Sequence, residues 1–272
     1  MKKNSTQEIE RLTAFVQKKK KYEQIDPGLI REIVQQEASK GRNQKGTQKA
    51  ILGKLHQVRA AYFEQTPDYP AWIERLTDLP DDLQAPETRA YCIGLMEHHH
   101  STHERQYILE EFFQQTLAAI QPIPSILDLA CGLNPLALPW MPIGRDLQYF
   151  GCDIFRDMTA FLGTFASHFH IQGEFKTCNV FDLDFPHRAK VAFLLKTLPC
   201  LEQVKKDFAP DLLRRIPAEY ILVSYPVSSL SGKSKGMRET YTDHFHALMD
   251  EMGWTFESFT FSSEIAFLVE KR

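Results

Sequence analysis

The sequence lacks several patterns that would assign it to common protein classes. It contains no Gly-x-Gly-x-x-Gly string, so a site that cradles the pyrophosphate of a dinucleotide is not predicted. No apolar run is long enough to cross a bilayer, and the segment Met1-Lys2-Lys3-Asn4-Ser5 begins no hydrophobic signal core. The five cysteines form no Cys-x-x-Cys pair, and their odd number and mostly apolar neighbours predict reduced thiols in a cytoplasmic protein.

Charge is distributed unevenly along the chain, although the net charge is only −3. Residues 1–60 carry 14 Lys and Arg against 6 Asp and Glu, whereas residues 61–110 carry 3 against 10. A basic segment on an otherwise acidic protein is the electrostatic footprint expected for a polyanion partner. The alternative is a solvated helical face, but the neighbouring domain described next favours nucleic acid.

The periodicity of apolar residues predicts two regions with different architecture. Three short amphipathic helices with basic outer faces are expected within residues 1–60, followed by an acidic helical section over residues 61–105. From Ser125 onward, strands and helices alternate, which is typical of a parallel α/β sheet and predicts a second domain over residues 106–272. The predicted strands are 125–130, 147–152, 174–178, 190–195 and 219–224, with helices near 156–169, 201–214 and 239–251 and a final hairpin of 254–260 and 264–269.

One stretch, from Ser125 to Pro135, predicts the binding site. Asp128 lies at the end of an apolar strand, and the small residues Ala130 and Gly132 allow the backbone to approach a ligand. The next predicted strand also ends in a carboxylate, Asp153, which suits the hydroxyls of a ribose. A nucleoside cofactor without phosphates fits this pattern, and S-adenosylmethionine is the commonest one.

Three longer strings resemble the aminoglycoside-resistance 16S rRNA (guanine-N7) methyltransferases. They are Asp-Leu-Ala-Cys-Gly-Leu-Asn-Pro-Leu-Ala at 128–137, Leu-Leu-Lys-Thr-Leu-Pro-Cys-Leu-Glu at 194–202 and Ser-Ser-Leu-Ser-Gly-Lys-Ser-Lys-Gly-Met at 228–237. The pattern His-x-Ser-Thr-x-Glu-Arg at 99–105 and the strings at 54–56 and 61–63 also match, so the resemblance covers nearly the whole chain in order. It implies a class I (Rossmann-like) methyltransferase sheet with an N-terminal helical rRNA-binding domain, acting as a monomer on 16S rRNA of the 30S subunit.

The resemblance also implies roles for individual residues. Arg105 would pair with the methionine carboxylate, Asp153 would hold the ribose hydroxyls and Leu195 would cover the adenine. The full set of implied cofactor contacts is Phe63, His99, His100, Ser101, Arg105, Ala130, Asp153, Asn179, Val180, Leu195 and Gln203. The residues expected to bind RNA are Lys18, Lys19, Lys20, Lys21, Lys45, Lys49, Lys54, Lys233, Lys235, Met237 and Arg238.

Some positions leave alternatives open. The family's acid after the third strand is replaced here by Asn179, and Asp182 could take its place at the adenine; similarly, Gln203 or Val204 could face the cofactor. The histidines at 98–100 and 103 have no second ligand cluster, so no metal is predicted. Cys200 follows a proline, as a nucleophilic cysteine of cytosine-C5 methyltransferases does, but the resemblance gives it no catalytic role.

No catalytic residue is predicted, because guanine N7 exposes a lone pair and carries no hydrogen. Its methylation needs only an in-line approach to the methyl group. Two other functions remain open from the sequence: methylation of another rRNA or tRNA position, and a catalytically silent RNA-binding factor.

Overall fold

A seven-stranded sheet forms the centre of the protein. The computed structural model describes residues 2–63, 66–182, 185, 188–227 and 236–271, without side chains at 2–5 and 59–61. The strands are β1 (Ser125–Leu129), β2 (Gln148–Asp153), β3 (Gln172–Thr177), β4 (Ala189–Leu195), β5 (Ala218–Pro226), β6 (Thr255–Thr260) and β7 (Glu264–Glu270). Their order is β3-β2-β1-β4-β5-β7-β6, and β7 runs antiparallel to both of its neighbours. The predicted α/β class, with five parallel strands and a terminal hairpin, is confirmed.

Helices surround this sheet and form the N-terminal part. They are α1 (Lys2–Gln17), α2 (Pro27–Ala38), α3 (Gln44–Tyr62), α4 (Tyr69–Thr77), α5 (Pro86–Met96), α6 (His100–Arg105), α7 (Leu109–Leu117), α8 (Arg156–His168), α9 (Leu198–Val204), α10 (Ala209–Arg215) and α11 (Met237–Met252). The helix predicted at 201–214 is in fact two, because Asp207 has a φ of 56° and α10 begins at Ala209 with Pro210 in its first turn. Among the described residues, no helix is long and apolar enough to cross a membrane.

A short backbone bridge joins the N-terminal helices to the sheet domain. The amide of Asp26 donates to the carbonyl of Ile154 at 2.8 Å, and the amide of Arg156 donates to the carbonyl of Gln24 at 2.8 Å. Asp26 also begins α2, since its side chain accepts from the amide of Leu29 and Pro27 occupies the first turn. The bridge therefore fixes α2 next to the residues that follow Asp153.

One expectation about the cysteines is wrong. Cys152 at the end of β2 and Cys178 just after β3 are joined in a disulfide, whereas Cys92, Cys131 and Cys200 are free. The sequence could not indicate this pair, because the two cysteines are 26 residues apart and meet only through the register of neighbouring parallel strands.

Candidate cofactor and substrate site

A cavity of about 500 Å³ opens at the carboxyl ends of the parallel strands, between the sheet and the N-terminal helices. The sheet contributes residues that follow β1, β2, β3, β4 and β5, which is where ligands bind in open α/β folds. The opposite wall comes from α2 and α3, through Leu29, Ile33, Lys54, Gln57, Val58 and Tyr62. The two regions that the sequence distinguishes thus share one cavity.

The turn after β1 is tightly constrained. Ala130 and Gly132 both have left-handed backbone conformations, with φ of 53° and 52°. A Cβ added at Gly132 would lie 2.6 Å from Cε1 of His99, so only glycine fits against this ring. Ala130 lines the cavity as predicted, because the turn brings its backbone to the surface of the pocket.

His99 and Phe63, two of the predicted cofactor contacts, are not among the described residues that line the cavity, and they pack behind its wall. The His99 ring stacks on Tyr62 with centroids 5.5 Å apart, and Phe63 packs edge-on against it at 5.2 Å. Burial lowers the pKa of His99 to about 3, so the ring is neutral. His100 and Ser101, the next two residues, do line the cavity.

Asp153 lies at the end of β2 and lines the cavity. Its Oδ2 accepts a hydrogen bond from the amide of Gly132 at 2.9 Å, and its Oδ1 accepts from the amide of Ile154 at 2.7 Å. Burial raises the pKa of this carboxyl to about 6, although these amides favour the ionised form. The carboxylate is therefore held in one orientation and is ionised at neutral pH.

A buried polar chain lies behind the turn. Asp128 accepts hydrogen bonds from the hydroxyl of Tyr149 at 2.5 Å and from Nδ2 of Asn134 at 2.8 Å. Oδ1 of Asn134 accepts from Nη1 of Arg105 at 3.2 Å, and Arg105 donates from Nε and Nη2 to the two oxygens of Glu264, at 2.7 and 2.9 Å. The chain joins α6, β1 and β7, and it holds both ends of the Asp128–Asn134 segment in place.

This chain includes Arg105, the residue predicted to pair with the methionine carboxylate. The side chain is 1% exposed and is not among the described residues that line the cavity. Its guanidinium binds Glu264 through two parallel hydrogen bonds, the geometry that the sequence assigned to the methionine carboxylate. A partner 159 residues away in the chain could not be inferred from local sequence.

The residues after β3 and β4 include the two pairs of alternatives that the sequence left open. Asn179 lines the cavity and Asp182 does not; Gln203 and Val204 both line it. Oδ1 of Asn179 accepts from the amide of Phe181, while its buried Nδ2 has no hydrogen-bond partner in the described structure. An unpaired buried amide next to a cavity suits a ligand acceptor, such as the edge of adenine.

Val180 lines the cavity as predicted, but Leu195 does not. Leu195 is the last residue of β4 and packs into the core, whereas Lys196 and Leu201 face the cavity instead. Lys196 has a φ of 57°, which turns the chain out of the strand at this point.

Sequence reasoning missed an ion pair at the cavity wall. Nζ of Lys196 lies 2.6 Å from Oε2 of Glu104, and both residues line the cavity. Their positions in the matched strings at 99–105 and 194–202 were the only available signal. Tyr241 of α11, which was not predicted, and Pro226 at the end of β5 also line the cavity.

The residues predicted to bind RNA lie in several places. Lys18, Lys20, Lys21, Lys45, Lys49 and Arg238 are exposed, and Lys19 lies over the ring of Phe15. Lys54 and Met237 line the cavity. Lys233 and Lys235 fall outside the described residues.

Two alternative chemistries find no support in the geometry. Within the described ranges, no group of three His, Cys, Asp or Glu residues is placed to hold a metal ion. Burial raises the pKa of the Cys200 thiol, which favours the protonated and less nucleophilic form.

The strand order, the antiparallel β7 and a strand-end cavity with a buried ribose-type carboxylate together define a class I methyltransferase. Comparison with known proteins gives the family. A family model described as "Ribosomal RNA methyltransferase (FmrO)" matches residues 18–269. The chain therefore belongs to the FmrO family of ribosomal RNA methyltransferases.

Individual relatives agree with this assignment. A 16S rRNA (guanine(1405)-N(7))-methyltransferase of Frankia casuarinae is 30% identical, over 97% of this chain and 94% of the relative. The solved structure of the 16S rRNA methylase RmtB has a TM-score of 0.80 and 25% identity, covering 97% of this chain and 98% of that one. The 16S rRNA methyltransferase RmtF, solved in complex with S-adenosyl-L-homocysteine, shares the fold with a TM-score of 0.80, 24% identity and the same coverage.

Proposed function

We propose that the protein transfers a methyl group from S-adenosylmethionine to N7 of guanine 1405 in 16S rRNA of the 30S subunit, which confers aminoglycoside resistance. The observation that carries this proposal is the shared cavity. Its floor contains the features of a nucleoside site, Asp153 and Asn179, and its opposite wall belongs to the basic N-terminal region through Lys54. The 16S rRNA relatives named above supply the particular nucleotide.

The residues present fit the cofactor. Asp153 is the acceptor for the two ribose hydroxyls, and the unpaired Nδ2 of Asn179 is a donor for the adenine edge. The methionine part of the cofactor carries an ammonium group and a carboxylate. Lys196 and Glu104, which line the cavity together with Ser101, offer one side chain of each opposite charge. Arg105 acts indirectly, by fixing the turn that contains Ala130.

The bound cofactor supplies a methyl group on a positively charged sulfur, which is a good leaving group. The protein then has to exclude water and to aim the N7 lone pair along the carbon–sulfur axis. Tyr62, Tyr241 and Met237 also line the cavity and provide flat or apolar surfaces for a purine. No proton leaves N7, so the site needs no general base.

The test is to methylate 30S subunits from a drug-sensitive strain with the purified protein and S-adenosylmethionine. N7-methylguanine is mapped by reductive cleavage of the 16S rRNA followed by primer extension. We expect one stop, at guanine 1405, and resistance in cells that express the protein. The control variant Asp153→Ala is expected to give neither.

Three outcomes would contradict the proposal. Modification at another rRNA nucleotide or on tRNA would support methyltransferase activity but refute guanine 1405 as its target. Failure to bind S-adenosylmethionine in calorimetry would favour a silent RNA-binding factor. Methylation of naked 16S rRNA in preference to 30S subunits would refute the assembled subunit as substrate.

A further inference from the structure

A buried carboxylate forms ion pairs with three cationic side chains between α2 and α3. Glu37, near the end of α2, is 1% exposed. Its Oε1 lies 2.7 Å from Nζ of Lys40 and 3.1 Å from Nζ of Lys54, and its Oε2 pairs with Nη1 of Arg42. The cations themselves remain partly exposed, with side-chain exposures of 46%, 28% and 43% for Lys40, Lys54 and Arg42.

The loop between the two helices is shaped so that Arg42 can turn back to Glu37. Gly41 has a φ of 66°, which reverses the chain after α2. Asn43 then begins α3, because its Oδ1 accepts from the amide of Gly46 at 2.8 Å. Since the loop is fixed at both ends, Arg42 and Lys40 are held on the same side as Lys54.

The cluster keeps an excess of positive charge and of free donors. Three cations surround one carboxylate, so the group carries a net charge of +2. The neighbouring cations outweigh the effect of burial and hold the pKa of Glu37 at about 2, so this carboxylate stays ionised at neutral pH. Glu37 occupies one donor of Lys40 and one of Arg42, which leaves their other N–H groups for a ligand.

The position of the cluster relates it to the cavity. Lys54 belongs both to the cluster and to the cavity wall, and Gln57 and Val58 continue that wall one turn further along α3. A nucleic-acid strand whose base entered the cavity would bring its backbone past Lys54. An Arg fork flanked by two ammonium groups is the arrangement that phosphate oxygens prefer.

We propose that Lys40, Arg42 and Lys54 form a phosphate clamp for the rRNA backbone next to the target base, with Glu37 as its positioning residue. This inference rests on the proposed function, because it takes rRNA as the ligand. In the clamp, Glu37 holds three long side chains in one arrangement before RNA arrives. The RNA then does not have to order them, which preserves affinity.

For the variant Glu37→Gln, the clamp predicts the opposite change in RNA affinity from the one that net charge alone predicts. Replacing Glu37 by Gln removes a negative charge from a basic surface, which by itself should strengthen the binding of a polyanion. If Glu37 positions the cations, Glu37→Gln should instead weaken the binding of 30S subunits by about tenfold, because the three cationic side chains of the clamp lose their common orientation. The matched control is Glu23→Gln, which removes an exposed carboxylate beside Lys18–Lys21 and should leave affinity equal or slightly higher.

The experiment measures the affinity of wild type and variants for 30S subunits at several salt concentrations, with S-adenosylmethionine affinity and thermal unfolding as checks on the fold. Weaker 30S binding by Glu37→Gln with unchanged cofactor affinity supports the clamp. Equal or tighter binding overturns it. If wild type itself does not bind 30S subunits, the proposed function fails and the clamp fails with it.

A second pair of variants tests the clamp if Glu37→Gln does not fold. Lys40→Ala and Arg42→Ala remove partly exposed side chains and leave Glu37 paired with Lys54. Each should lower the slope of log affinity against log salt by about one, as expected for the loss of one phosphate contact. Unchanged affinity and slope in both variants would overturn the clamp.

Discussion

The ion pair between Arg105 and Glu264 is the most sharply testable part of the structure. Both side chains are almost fully buried, and the two nitrogens of Arg105 lie 2.7 and 2.9 Å from the carboxylate oxygens. Removing one partner of such a pair leaves an uncompensated buried charge, which costs about 3–5 kcal/mol. We therefore expect Glu264→Ala to lower the free energy of unfolding by about this amount and to weaken cofactor binding through the Asp128–Asn134 segment.

The double variant Arg105→Met with Glu264→Leu separates charge from shape. It removes both charges and leaves Oδ1 of Asn134 without its donor, which costs about 1–3 kcal/mol. The hydroxyl of Ser224, which also bonds Glu264, loses that partner in both variants, so it does not affect the comparison. The double variant should therefore be more stable than Glu264→Ala, although it lacks more polar groups.

The assay is urea unfolding followed by circular dichroism, with cofactor affinity measured separately. The control is Glu219→Ala, which removes an exposed partner of Lys190 on the same sheet and should change stability little. If Glu264→Ala behaved like this control, the buried chain of hydrogen bonds would not stabilise the fold.

The pH dependence of the free energy of unfolding gives a second check. Burial raises the pKa of Glu264, but Arg105 and Lys196 outweigh it and hold it below its usual value. The stabilisation should thus be present at neutral pH and disappear as the pH falls through that lowered pKa.

Three further predictions concern the cavity. Because the pKa of Asp153 is about 6, cofactor affinity in calorimetry should fall about tenfold between pH 7 and pH 5 as the carboxylate is protonated; Asp153→Asn should abolish this step, and a flat wild-type profile would contradict the assignment. Gly132→Ala should weaken cofactor binding and lower the melting temperature, since its Cβ would meet the ring of His99 at 2.6 Å; Gly53→Ala, which meets nothing within 4 Å, is the control, and equal behaviour of the two would refute the argument. Cys200→Ala should keep rRNA methylation activity, because the reaction needs no thiolate, and complete loss would revive a covalent mechanism.

The fold class could be predicted because its signals are local. Each strand is a short apolar run, and strand-end residues such as Asp153 and Ala130 follow from the position where the run stops. The same holds for Asn179 and Val180 after β3. These residues line the cavity because the carboxyl ends of parallel strands meet at one edge of the sheet.

The contacts that the sequence could not specify depend on distant residues or on how a strand ends. Arg105 finds Glu264 only when β7 is inserted beside β5, which no local pattern specifies. Leu195 packs into the core and Lys196 lines the cavity, because the left-handed backbone of Lys196 turns the chain where β4 ends. Both His99 and His100 are predicted cofactor contacts, and the structure places the ring of His99 against Gly132 and places His100 at the cavity.

The wall that α2 and α3 contribute has a consequence for engineering. Leu29, Ile33 and Val58 are aliphatic surfaces of the same pocket that Asp153 closes from the sheet side. A chimaera that exchanged the first 62 residues for those of a relative would replace six of the residues that line the cavity together with the basic arm. Exchanging the arm therefore also changes the cavity wall, and substitutions meant to change the arm alone have to avoid these three side chains.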